Sequence, residues 1–318
     1  MSNNKELRIV FMGTPDFAVT ILSKLLEHDY NIVGVITAPD KPAGRGRKLN
    51  KSAVKEFAET KNLNILQPTN LKSEAFTKTL KILNANLQIV VAFRMLPKVV
   101  WQMPKYGTFN LHASLLPNYR GAAPINWAII NGETKTGVST FFIDEKIDTG
   151  AMILQEEVKI ESDENAGSLH DKLMHIGSDL VIKTVNHIEN GTVETTPQPE
   201  DAISKTAYKL NKDNCKINWE DNINTIYNKI RGLSPYPAAW SKLHNGDDLL
   251  DVKIYRAEKE IAIHEFETGL IISTKKEVKV AVKEGYIKIL DIKLPGKRTM
   301  EVKSLLNGYT FNADAKML

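Results

Sequence analysis

One stretch of this chain concentrates residues able to steady a charge or move a proton: Asn110-Leu111-His112-Ala113-Ser114-Leu115-Leu116-Pro117-Asn118-Tyr119-Arg120-Gly121. Asn110 and His112 stand two apart, so in an extended strand their side chains share one face. A carboxamide donor beside an imidazole suits a developing oxyanion or a proton transfer. What the pair lacks is a carboxylate. Asp148, ahead of Thr149-Gly150 and close to Asp144, can supply one. An Asp before Thr-Gly is by itself an ordinary turn former. Beside an imidazole it would stabilise the protonated ring or help remove a proton from an attacking amine. On residue types alone, a structural role for Asn110 and His112 stands beside the catalytic one.

Other chemistries lack their parts. The chain has no G-x-S-x-G elbow, no P-loop and no H-E-x-x-H. Its single cysteine, Cys215, cannot form an internal disulfide or a multi-thiolate site, and reads as a small buried hydrophobe. No metal is expected. Met12-Gly13-Thr14-Pro15-Asp16 follows the first apolar run, but G-x-G-x-x-G is absent. Thr37-Ala38 stands where a ribose-binding acid would end the second strand. Nicotinamide dinucleotide binding is therefore disfavoured.

A second kind of signal lies in Pro39-Asp40-Lys41-Pro42-Ala43-Gly44-Arg45-Gly46-Arg47-Lys48-Leu49 and on to Lys51. Five basic residues and one acidic residue share this loop with two prolines and two glycines. Proline limits the wander of a loop, glycine lets its backbone come close to a ligand, and arginine offers a planar fork for phosphates and base edges. Contact with phosphate or nucleic acid is the reading preferred over a bland solvated loop. Charge is also uneven along the chain. Residues 205–318 carry 20 Lys and Arg against 15 Asp and Glu, whereas the first 204 residues carry 22 against 23. A modestly basic appended domain fits a polyanionic partner, although lysine-rich surfaces are often only solvated.

The elements that must position these residues are legible as an alternation. Predicted strands at 7–12, 32–37, 64–66, 87–93 and 108–112 are interleaved with helices at 15–27, 52–61 and 73–83. A helix at 122–130, strands at 138–143 and 152–160 and a long helix at 166–188 follow. Such alternation implies an α/β fold with a mostly parallel, Rossmann-like sheet covered on both faces, with ligands beyond the carboxyl ends of the strands. Residues 190–206 change to Gly, Pro and Thr and read as a linker. After a helix at 221–231, short alternating runs at 239–243, 249–257, 269–273, 278–283 and 286–293 predict a small C-terminal β-barrel of the oligonucleotide-binding (OB-like) type. The expected domains are therefore 1–189, a linker at 190–207, and 208–318. The 318 residues, 42% hydrophobic and 25% charged, exclude disordered, collagen-like and coiled-coil classes. No apolar run approaches a signal-peptide core or a membrane span, so a protein of a reducing, cytoplasmic compartment, off the membrane, is expected.

Taken together, Asn110-x-His112-x-Ser114-Leu115-Leu116-Pro117, Tyr119-Arg120-Gly121 and Asp148-Thr149-Gly150 resemble the signature of the folate-dependent formyltransferase family. Within it, Phe11-Met12-Gly13-Thr14-Pro15-Asp16-Phe17, the loop Pro42 to Leu49 and Arg120-Gly121-Ala122-Ala123-Pro124-Ile125 are similar to members that act on methionine esterified to initiator tRNA. Ala207-x-Lys209-Leu210, Ile217-x-Trp219 and Ile230-Arg231-x5-Pro237-x2-Trp240 extend the resemblance through the C-terminal region. Phe93-Arg94-Met95-Leu96-Pro97 departs from the tyrosine and glycine common at that place. The resemblance implies formyl transfer from 10-formyltetrahydrofolate, as co-substrate and without a metal, to the α-amino group of methionyl initiator tRNA for translation initiation. It implies Asn110 and His112 stabilising the oxyanion of a tetrahedral intermediate, with Asp148 holding the imidazole and assisting proton removal. It further implies folate contacts from Ser114, Leu115, Leu116 and Pro117, a pterin wall from Val91, Phe93 and Leu96, tRNA contacts from Arg45, Arg47 and Lys48, and a monomer. Two other readings stay open: a sugar-nucleotide formyltransferase, and an RNA-binding protein that kept the fold without the reaction.

Overall fold

A computed structural model describes residues 6–43, 48–199 and 205–318. Its contacts group into two compact units. One is Met1–Gly121, Gly137–Val158 and His170–Thr206, and the other is Ala122–Thr136, Lys159–Leu169 and Ala207–Leu318.

The first half of the chain runs β1 (Arg8–Gly13), α1 (Asp16–Glu27), β2 (Asn31–Ile36), β3 (Lys41–Ala43), β4 (Lys48–Asn50), α2 (Ala53–Thr60), β5 (Ile65–Leu66), α3 (Glu74–Ile82), β6 (Leu87–Val91), α4 (Lys98–Trp101), β7 (Thr108–His112) and β8 (Arg120–Gly121). It continues through α5 (Pro124–Ile130), β9 (Lys135–Phe142), β10 (Met152–Lys159) and α6 (Ala166–Asn190). Seven strands form one sheet in the order β10-β9-β7-β6-β1-β2-β5. β1 pairs in parallel with β2 and β6, β6 with β7, and β2 with β5, while β9 runs antiparallel to β7. Every residue of β6 is buried, as is all of β1 after Arg8, the near-continuous apolar pattern of strands covered on both faces, with Gln88 accepting from Thr108 as the one polar member. Ser52 and Ser73 cap α2 and α3 by accepting from the Lys55 and Phe76 amides. Strand order reverses between β1 and β6, so the crevice for a ligand opens at their carboxyl ends, beside β7.

Several expectations shift in detail. The strand predicted over 87–93 stops at Val91, because Ala92 takes φ 47° and turns the chain out of the sheet. The loop predicted across 39–51 is partly a two-stranded antiparallel ribbon, with Lys41 opposite Asn50 and Pro42 opposite Leu49. At the foot of this ribbon, Asp40 accepts from Lys55 (2.5 Å) and Gln67 (2.7 Å). Those hydrogen bonds, Lys55's first, hold its carboxyl below the usual range. Arg45, Arg47 and the side chain of Lys48 lie outside the described residues.

The second unit includes α7 (Ile223–Leu233), which follows the short β11 (Thr206–Ala207). Its strands are β12 (Ala239–Asn245), β13 (Asp248–Ile261), β14 (Ile271–Ser273), β15 (Val278–Val282), β16 (Gly285–Lys293) and β17 (Met300–Glu301), with α8 (Val302–Leu305) before β18 (Lys316–Met317). They order as β14-β15-β16-β13-β12-β18. An antiparallel bridge from Leu270 to Lys316 joins the two ends, so the barrel is nearly closed. Inward residues such as Val252, Ile254, Val280, Ile287 and Ile289 fill it together with Trp219 and Cys215. The closing strand was not predicted: two residues carry no period. β13 is also longer than predicted, reaching Ile261. No helix among the described residues is long and apolar enough to cross a membrane.

Candidate active site

β7 ends on His112, and its pairing sets Asn110 level with Val90 of β6 and His112 level with Ser139 of β9. Period two places the Asn110 and His112 side chains on the same face, as the sequence required. The imidazole is buried, with its side chain 8% exposed. Its Nε2 lies 2.8 Å from the carbonyl oxygen of Tyr119. A carbonyl only accepts, so Nε2 carries the proton and Nδ1 is the nitrogen left to gain or lose one. Facing Nδ1 at 3.9 Å is Oδ2 of Asp148, on a side chain 16% exposed. The same Oδ2 accepts from the Gly121 amide at 3.0 Å. Among the described residues, neither Oδ1 of Asp148 nor the Asn110 carboxamide has a hydrogen-bond partner. The site thus offers a free amide donor two residues from an engaged imidazole, and a free oxygen on the carboxylate that faces that imidazole.

Asp148 sits on a turn that leaves little freedom. Its φ is 55°, in the left-handed region. A Cβ on Gly150 would fall 1.7 Å from the carbonyl oxygen of Phe142, so only glycine lets the chain pass there. Thr149 Oγ1 and the Lys146 amide both donate to Asp144, which therefore ties the turn internally and leaves Asp148 as the carboxylate that reaches His112.

The stretch Ser114–Pro117 is held rigidly from β9 and β10. Ser139 Oγ donates to the Ser114 carbonyl (2.6 Å) and accepts from the Leu116 amide (3.2 Å) and Gln155 Nε2 (2.8 Å). Gln155 also donates to the Leu116 carbonyl (2.9 Å). Ser114 is wholly buried, its hydroxyl donating to the Asn118 carbonyl, and Leu116 is buried too. These two side chains shape the loop, while Leu115 and Pro117 keep accessible surface. Val91 and Leu96 are buried and Phe93 is half-buried; Leu96 and Phe93 pack into the cluster formed by Val10, Met12, Val90 and Val100. Arg94, at the place of the family's departure, donates to the Thr69 and Pro68 carbonyls.

Sequence reading missed the groups that brace this site. Ser139 and Gln155 lie in strands that carry other polar residues, Thr140 beside the first and Glu156 beside the second, so nothing in the sequence set them apart. Gln198 was assigned to the linker, yet it is buried and donates to the carbonyls of Asp148 (3.0 Å) and Gly150 (2.8 Å). Arg120 donates in turn to Gln198 through Nε (3.1 Å) and Nη2 (2.6 Å).

Comparison with known proteins gives a consistent picture. The chain matches the family pattern described as formyl transferase over residues 7–185, and that of the formyl transferase C-terminal domain over residues 209–310. The methionyl-tRNA formyltransferase of Flavobacterium johnsoniae is 64% identical over 98% of this chain and 99% of its own length. That of Bacteroides thetaiotaomicron is 51% identical, again over 98% of this chain and 99% of its own. Among solved structures, the N-formyltransferase from Helicobacter canadensis, in complex with folinic acid and dTDP-3-aminofucose, aligns with a TM-score of 0.63 at 21% identity. That alignment covers 89% of this chain and 98% of that one, and shows a shared fold.

Proposed function

The chain belongs to the formyl transferase family, and from that premise we propose that it transfers the formyl group of 10-formyltetrahydrofolate to the α-amino group of methionyl initiator tRNA. The observation that carries this reading is the 64% identity, over nearly the whole of both chains, to a relative named for that reaction. The site residues fit a formyl donor. A carboxamide without a partner stands half-buried on β7, and the apolar Phe93, Leu115 and Pro117 keep accessible surface on which a flat ring can lie. The folate supplies the formyl carbon at the oxidation level of an acid, ready for an amine nucleophile.

What the protein's own groups do follows from their engagement. Asn110 donates its free amide N–H to the oxygen on which negative charge develops. As the amine attacks the formyl carbon, Asp148 takes the amine proton on Oδ1, the oxygen left open by Gly121 and His112. Collapse of the tetrahedral intermediate then breaks the C–N10 bond, and the folate N10 leaves with a proton returned to it from Asp148. His112, fixed through Nε2 to Tyr119, keeps its ring 3.9 Å from Oδ2 of Asp148 and leaves Nδ1 open toward the carboxylate. Leu115, Pro117, Phe93 and the buried Ser114, Leu116, Val91 and Leu96 form the walls of the folate site. Arg45, Arg47 and Lys48, together with the basic C-terminal region, hold the tRNA. We place the protein in the cytoplasm, where charged tRNA is found, and expect it to act as a monomer.

The test is formyl transfer from labelled 10-formyltetrahydrofolate to charged initiator tRNA, with charged elongator methionine tRNA and an amino-sugar nucleotide as competing acceptors. Transfer to the initiator tRNA well above both supports the reading. Preference for the sugar nucleotide, or no turnover with any acceptor, refutes it.

A further inference from the structure

We infer that Gln198 is a positioning residue that sets the Asp148 turn for proton transfer; the inference rests on the role given to Asp148 above. The Gln198 side chain is saturated. Both hydrogens of its amide are spent on carbonyls of the turn, Asp148 at 3.0 Å and Gly150 at 2.8 Å. Its oxygen takes two hydrogens from one guanidinium, that of Arg120. The residue is 7% exposed, so water does not substitute for these partners at low cost.

The arrangement closes a circuit around the reacting groups. Arg120 precedes Gly121, whose amide donates to Oδ2 of Asp148, and follows Tyr119, whose carbonyl holds Nε2 of His112. Gln198 therefore ties together the two backbone segments that grip the carboxylate and the imidazole, while touching neither functional group. On its other side the turn cannot relax, because Gly150 lies against the Phe142 carbonyl. Asp148 adopts φ 55°, a conformation that non-glycine residues hold only where surroundings impose it. The two carbonyls demand donors and the guanidinium demands an acceptor. A terminal carboxamide of this length meets both demands at once, and glutamate meets only the second.

That asymmetry gives the experiment. Gln198→Glu keeps the shape and strengthens the bond to Arg120, but sets an oxygen against the carbonyls of Asp148 and Gly150. Gln198→Met keeps volume and removes every polar contact. With the full-length protein, 10-formyltetrahydrofolate and charged initiator tRNA, both variants are expected to lose at least about tenfold in kcat. KM for either substrate should stay within about twofold, and circular dichroism and thermal midpoint should show a folded protein. Packing or retention of Arg120 as the sole role predicts instead that Gln198→Glu works normally. Wild-type kcat in Gln198→Glu, or a loss confined to KM, overturns the inference. Should Gln198→Glu not fold, Gln198→Met is judged by the same criteria. Asp148→Asn is run beside them: if it is inactive while the Gln198 variants work normally, the inference alone fails. If Asp148→Asn is itself active, the role of Asp148 fails and this inference falls with it.

Discussion

Replacing Asp148 by Asn alters the chemistry of the site while sparing its framework. Oδ2 has a fixed neighbour in the Gly121 amide at 3.0 Å, which an amide oxygen accepts equally well. The variant therefore keeps its oxygen there and turns its NH2 to the place of Oδ1. Two things are lost: the negative charge 3.9 Å from Nδ1 of His112, and the open acceptor for the amine proton. The attacking amine becomes positively charged as it adds to the formyl carbon, and opposite unit charges about 4 Å apart interact by roughly 4 kcal/mol at an effective dielectric near 20. At about 1.4 kcal/mol per decade that is a factor near 10³ in rate. With side chains 8% and 16% exposed, some water reaches the pair, so a loss in kcat between about 10² and 10³ is expected. This falls within the span for a general acid–base group. Single-turnover formylation of charged initiator tRNA at saturating folate measures it, with tRNA binding as the control for folding. Turnover within about fivefold of wild type, with binding intact, refutes the role of Asp148.

Other outcomes follow from the same geometry. Gly150→Ala drives a methyl into the Phe142 carbonyl, so it should lower stability by about 1–3 kcal/mol. It should also lower kcat more than Asp148→Asn does, because it moves the turn itself; thermal melting and initial rates check both. Arg45→Lys, compared with Arg45→Ala on initiator tRNA, should cost about 1–3 kcal/mol in kcat/KM if its fork grips a base edge. Wild-type behaviour of the Lys variant would show that Arg45 acts through its charge alone. Burial pushes the Cys215 thiol up, so at pH 8 it stays protonated and iodoacetamide should alkylate the native protein at least tenfold more slowly than the unfolded chain. Equal rates would refute its burial in the barrel core.

The candidate trio stood out in the sequence because chemistry and period coincide: Asn110 and His112 stand two apart on a short strand, and Asp148 precedes Thr-Gly. The alternating sheet was legible from the buried runs of β1 and β6 and from the serines that cap α2 and α3. Elements made by tertiary contact were not. β18 is two residues long and exists because Leu270 and Leu243 lie on either side of it. The ribbon β3–β4 pairs Lys41 with Asn50 and Pro42 with Leu49 in a segment whose composition says only that it is a loop.

Gln198 shows why bracing residues escape a reading of one sequence. A catalytic group is recognised by its own reactivity, whereas a bracing group is defined by what surrounds it, and Gln198 meets partners 48 to 78 positions away. Its flanking residues, Pro197 and Pro199, announce irregular chain and nothing more. The same holds for Ser139 and Gln155, which satisfy the backbone of Ser114–Leu116 from the neighbouring strands β9 and β10. Their presence follows from the site's own needs. A loop folded back at a strand end exposes carbonyls and amides that no sheet partner can take. In a buried site those groups must be met by side chains of fixed length. A carboxylate on a left-handed turn and an imidazole engaged through Nε2 are of use only while those supports hold. Side chains such as Gln198 that touch no reacting atom are therefore where loss of rate without loss of binding is to be sought.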